Sequence, residues 1–267
     1  MYNGFNLSFP DLNKNEYREY YLAGKLLFKR YRRKSVENLN NYLNATGALE
    51  GSDIQNDWFQ PIECDIFLSH SHKDEETVII LAGFFYKNFG LKTFIDSCVW
   101  GYAPDLIKKI DDNYCVVKNG KQGSKTYSYE KRNFSTSHVY MMLSMALSEM
   151  IDRTECLMFY NTPSSIPISK SMTEGSTYSP WIYHEIQMSK IIRTQLPTRQ
   201  RHFTKDIRSD GTVTVIDNAL KIKYDVNYSH LIELDIDDIN KWRNDVNNTD
   251  LEGSITLDIL YKQKGIY

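Results

Sequence analysis

The chain has no run of roughly 18 apolar residues and no charged-then-apolar start, so the expectation is a cytoplasmic protein with no membrane partner and no secretory leader. It has no charge of one dominant sign either. The 32 basic residues against 34 acidic ones leave a net charge of −2, which excludes a global basic footprint and, with it, an expected nucleic-acid partner. Cysteine is sparse: Cys64, Cys98, Cys115 and Cys156 form no C-x-x-C pair, and Cys64 and Cys156 border apolar runs. That pattern fits buried thiols in a reducing compartment and argues against both a disulfide framework and a zinc site. No G-x-G-x-x-G fingerprint is present, so no dinucleotide is expected to be held as a Rossmann hydride carrier. With 267 residues the chain is long enough to bury a real core.

What is present is a strand-and-helix rhythm. The apolar run Ile66 to Leu68 stops at polar residues and then at Asp74, an acceptable helix N-cap followed by Glu75 and Glu76. A helix to about Asn88 then reaches Gly90, which can supply a left-handed C-cap. Leu91 to Asp96 reads as a second strand, Ser97 to Pro104 as a loop, and a helix starts near Asp105. Cys156 to Tyr160 and Leu231 to Ile236 are further core strands, with Arg199 to Phe203 a weak candidate between them. This spacing predicts parallel strands joined by right-handed crossovers.

Two segments exceed that rhythm. Asn119 and Gly120 between short β-prone runs predict a hairpin within Cys115 to Asn133, and Thr212 to Tyr224 predicts another within 206–227. Thr136 to Ile151 reads as a helix apolar on most sides, one that must be covered. Asp238 to Val246 and Ser254 to Tyr261 read as closing helices. Before Glu63, Lys14 to Leu43 reads as helical and Ala45 to Pro61 as a linker, while residues 1 to about 12 carry little pattern. The basic run Lys29 to Lys34 is read as a solvated helix face. Residues 1–62 are therefore expected to be an N-terminal helical extension and linker, and 63–267 the main domain. The 19 tyrosines suit long surface insertions or a self-association face.

Ligands in open α/β sheets sit outside the carboxyl ends of the strands, which points to Ser69, His70 and His72 after the first strand. The two histidines read equally as solvated loop residues, and a third metal ligand is not evident. Ser179 and Pro180 open a helix in which Trp181, Glu185 and Met188 share a face at i, i+4 and i+7. Glu185 thus projects beside an aromatic ring.

Three segments taken together resemble the boxes of the Toll/interleukin-1 receptor (TIR) domain family: Asp65 to His70, Thr93 to Asp96 with Gly101 shortly after, and Ser179 to Glu185. The resemblance covers roughly Glu63 to Val246 in the right order, with Ile182 where a cysteine often follows the tryptophan. It implies a flavodoxin-like, mostly parallel five-stranded sheet flanked by helices, here with β-hairpin insertions. The family contains non-catalytic modules that self-associate through the loop after the second strand, Ser97 to Pro104 here, and enzymes that cleave NAD and need a glutamate where Glu185 stands. The pairing of Trp181 with Glu185 matches the enzymatic kind.

On that resemblance Glu185 is the expected catalytic residue, and Ser69, His70, Asp96, Trp100 and Trp181 are expected to line the NAD site. NAD would be a substrate, with no cofactor and no metal. The arrangement resembles the stand-alone TIR proteins of bacterial Thoeris anti-phage defence, which implies a diffusible cyclic ADP-ribose-type signal acting on a separate effector protein. A non-catalytic interaction module and a glycosidase for another nucleoside or nucleotide are the competing expectations.

Overall fold

The computed structural model describes residues 1–31, 39–100, 103–119, 125–171, 173–197 and 222–266. Its strands are β1 (Asn3–Leu7), β2 (Ile66–Ser69), β3 (Thr93–Phe94), β4 (Val116–Asn119), β5 (Lys125–Tyr127), β6 (Cys156–Tyr160), β7 (Ile168–Ser169), β8 (Glu174–Thr177), β9 (Tyr224–Asn227) and β10 (Ile232–Leu234). Its helices are α1 (Arg18–Tyr31), α2 (Gly51–Trp58), α3 (Glu75–Phe89), α4 (Asp96–Val99), α5 (Ala103–Ile110), α6 (Tyr129–Arg153), α7 (Pro180–Ile191), α8 (Ile236–Asn247) and α9 (Thr256–Gln263). They form two compact units, one of residues 1–30, 63–95 and 150–267, the other of 31–62 and 96–149. Among the described residues no helix is long and apolar enough to cross a membrane.

The first unit is built on an all-parallel sheet in the order β10-β1-β6-β2-β3. The order is compatible with a flavodoxin-like sheet, whose strands run 2-1-3-4-5. The fourth place, however, is taken by the start of the chain. This corrects the expectation of an N-terminal helical extension: Phe5 aligns with Ile232 on one side and Met158 on the other, and is fully buried. The segment was illegible because Asn3, Gly4 and Asn6 are poor strand formers; neighbours on both edges, not propensity, hold it extended. Asn6 is itself buried and donates from Nδ2 to Glu233 on the adjoining strand, at 2.8 and 3.0 Å from its two oxygens. The weak strand candidate 199–203 lies outside the described residues, as does most of the second expected hairpin.

β6 reads Cys-Leu-Met-Phe-Tyr and every residue is fully buried, the continuous apolar run of a strand covered on both faces. α1 and α3 cross at two glycines. A Cβ on Gly83 would stand 1.8 Å from the Tyr20 carbonyl oxygen, and one on Gly24 would stand 2.2 Å from that of Ile79. Gly90 closes α3 at φ 69°, as the sequence predicts. α8 starts on a capping box of Asp235 and Asp238 and presents Trp242, which stacks 3.8 Å from Phe89 and donates its indole N–H to the Thr256 carbonyl. Beyond β6, β7, β8 and β9 make a separate antiparallel sheet.

In the second unit the expected linker holds α2, whose Ile54 and Trp58 are buried because the intervening polar positions face outward at helical spacing. β4 and β5 pair antiparallel, as the hairpin signal predicts. α6 is longer than the sequence pattern suggested and less covered. Val139, Leu143, Ala146 and Leu147 are buried, whereas Phe134, Met141 and Met145 are exposed, so one side of this helix is open among the described residues.

Candidate functional site

The site assembles at the carboxyl ends of β2 and β6 in the first unit. β2 ends at Ser69, and the chain turns through His70 and a single 3-10 turn (His72–Asp74) into α3. α7 begins where Ser179 Oγ accepts the Ile182 amide at 3.3 Å and Pro180 takes the first helical position. That start fixes the phase of the helix, placing half-buried Trp181 in its first turn and Glu185 one turn later, facing inward.

Glu185 is 5% exposed and Ser69 2%, and the Ser69 hydroxyl donates to Glu185 Oε2 at 2.5 Å. The two residues are 116 positions apart in sequence. The separation falls in the range of a hydroxyl bonded to a carboxylate, about 2.5–2.7 Å, a contact roughly twice as strong as its neutral counterpart. A carboxylate in so dry a position keeps a strong field, because the surrounding dielectric is low. It therefore acts strongly on a positive charge developing beside it.

Around this pair the structure adds groups that sequence reading missed. Asp74, expected to cap α3, sits at φ −95° and ψ 9° and makes no side-chain cap bond. Its buried carboxylate instead accepts from Thr162 Oγ1 at 2.7 Å, and Thr162 Oγ1 in turn accepts the amides of Ser164 and Ser165. Burial pushes the Asp74 carboxyl above its ordinary range, against the Thr162 hydroxyl and the charge of His70, which pull it down. Tyr160, at the end of β6, reaches the Phe9 carbonyl and Asp11 Oδ1, each at 3.2 Å, and burial followed by the Asp11 charge raises its phenol. Polar groups thus crown the ends of three adjacent strands. The signal existed at Asp74 and Thr162, but Asp11 follows a strand that sequence did not reveal.

Ser69, His70, Trp181 and Glu185 all belong to this unit. His70 is 8% exposed, with Nδ1 3.3 Å from the Leu68 carbonyl and its ring 6.2 Å from that of His72. It is a packed residue, not a solvated one. Asp96 and Trp100 belong to the other unit. Asp96 opens α4 and is half-buried, whereas Trp100, expected to border the cleft, is a core residue: 5% exposed, edge-on to Phe59, its indole N–H donated to the Gln60 carbonyl at 2.8 Å. Among the described residues no group of three His, Cys, Asp or Glu side chains has metal-holding geometry. A cleft of about 460 Å³ lies in the second unit and includes none of Ser69, His70, Trp181 or Glu185.

No protein-family model, no curated protein and no solved structure matches the chain.

Proposed function

We propose that the chain is a TIR-type enzyme that cleaves NAD with Glu185 as its catalytic residue. The observation that carries this reading is the buried Glu185 carboxylate held by Ser69 at the carboxyl end of a parallel strand. Breaking the bond between nicotinamide and ribose develops an oxocarbenium-like charge on the sugar, as in glycoside hydrolysis, and a fixed carboxylate stabilises it. Nicotinamide departs with the bonding electron pair and needs no proton, so one carboxylate is enough. The carboxylate also accepts from ribose hydroxyls and orients the incoming nucleophile. Water attacking the anomeric carbon gives ADP-ribose and a proton; the adenine or a ribose hydroxyl of the same molecule gives a cyclic isomer. Ser69 keeps the carboxylate in one rotamer, Trp181 supplies a ring one turn away, and His70 lies beside the strand end. A diffusible product read by a separate effector, as an anti-phage signal in the cytoplasm, is the biological role that fits this chemistry.

The test is incubation of the concentrated protein with NAD, following nicotinamide release and product mass. Release that disappears in Glu185→Gln supports the proposal. A product lighter than ADP-ribose by one water identifies cyclisation. Release that is absent, or equal in Glu185→Gln, sinks it.

A second reading rests on the exposed Phe134, Met141 and Met145 of α6, which suit self-association. Trp100, in the segment 97–104 that was expected to associate, is buried and does not serve that purpose. Sedimentation of Met141→Asp against the parent separates the two: a smaller assembly with intact catalysis assigns the stripe to association alone.

A further inference from the structure

The cleft in the second unit lies between α5, β5 and α6, and Lys108, Asp111, Tyr127, Arg132, Thr136 and Tyr140 are among its walls. Its geometry follows from one buried acid. Asp111 is 2% exposed and accepts from Ser135 Oγ at 2.6 Å and from Arg132 Nε at 2.7 Å. The Arg132 guanidinium also lies over the Tyr127 ring, 5.3 Å from its centroid. It is thus fixed on two sides, although its side chain is half exposed. The fixed fork uses only Nε. Among the described residues no protein acceptor takes its two Nη groups, which carry the donors that bind a planar anion in pairs.

Lys108 adds a second cation to the same wall, and Lys125 is neutralised nearby by Asp112, which also accepts from Tyr127. The lining therefore carries one more positive than negative charge: Lys108 and Arg132 against Asp111. The hydroxyl of Thr136 and the rings of Tyr127 and Tyr140 complete it. The volume is that of an ordinary small-molecule site, about 300–1,000 Å³, and the mixture of rings and a few convergent polar groups is the usual one.

We propose that this cleft binds a small aromatic anion, its phosphate or carboxylate on Arg132 and Lys108 and its ring against the tyrosines. The cleft belongs to the unit that does not contain Glu185, and the proposal does not depend on the NAD reading. Recognition is by the pre-set fork of Arg132, so a ring without an anionic group, or an anion without a ring, binds more weakly than the two joined.

The experiment is calorimetric titration of the full chain with phenyl phosphate, benzoate, phenol and inorganic phosphate. Saturable binding of phenyl phosphate or benzoate is expected, at least tenfold tighter than phenol or inorganic phosphate, and the tighter of the two identifies the anion. Arg132→Ala leaves Asp111 short of a partner and risks the fold. The decisive variants are therefore Lys108→Ala, expected to weaken binding several-fold, and Thr136→Phe, expected to fill the cleft and abolish it. No saturable binding by either aromatic anion, equal binding of phenol, or binding untouched by both variants overturns the proposal.

Discussion

Two buried acids, one in each unit, are handled differently by the fold. Asp111 is reached by a guanidinium and a hydroxyl and ties a π-helical turn to α6. Glu185 is reached by the hydroxyl of Ser69, at a strand end where α/β sheets receive ligands. A guanidinium offsets part of the field of the carboxylate it binds, whereas a hydroxyl donor orients a carboxylate without bringing a charge of its own. The difference teaches that burial alone does not single out an acid as a catalytic candidate; Glu185 is the candidate because it is buried, oriented by a hydroxyl and placed at a strand end.

Glu185→Gln is the sharpest way to break this comparison. The amide keeps an oxygen for the Ser69 hydroxyl but loses the charge, so nicotinamide release is expected to fall roughly 10²–10³-fold, the usual cost of removing one electrostatic stabiliser. Thermal unfolding should move little or upward, because a buried charge is traded for a neutral group. Asp111→Ala should do the reverse. It strands the Arg132 and Ser135 donors and costs about 1–3 kcal/mol of stability by denaturant unfolding, while nicotinamide release per folded molecule stays the same. If Asp111→Ala kills release and Glu185→Gln only melts earlier, the roles assigned to the two acids are exchanged.

Ser69→Ala sharpens the same contrast at smaller amplitude. The carboxylate stays but loses the donor that fixes it, so release should drop roughly tenfold, mainly in kcat, with KM changed less. The smallest effect belongs to Asp74. A carboxyl whose pKa is raised on folding binds its proton more tightly in the native than in the unfolded chain. Its penalty is absent below the ordinary value of 3.8 and develops as pH rises through the window above it. Asp74→Asn carries no such penalty, so its stability relative to the parent should improve between about pH 3 and pH 7; a pH-independent difference would remove burial as the cause.

Much of the frame was legible because it is local. The β2 run, the Gly90 cap, the Ser179 and Pro180 start and the strand β6 each announce themselves by composition and spacing. The i, i+4 relation that pairs Trp181 with Glu185 is likewise a property of one helix. What escaped was held from outside. The strand Asn3–Leu7 has no pattern of its own and exists because β6 and β10 offer it hydrogen bonds on both edges. Trp100, within the segment expected to be a loop, is a core residue because Phe59 and the Gln60 carbonyl receive it.

By itself the sequence determined the alternation of strands and helices and the start of α7 at Ser179 and Pro180, since both follow from period and capping within a few residues. Only the tertiary structure decided that the start of the chain completes the sheet, that Asp74 turns to Thr162 instead of its own helix, and that Ser69 meets Glu185 across 116 positions. Those outcomes depend on burial and hydrogen-bond partners brought together from distant parts of the chain, and no window of neighbouring residues contains them.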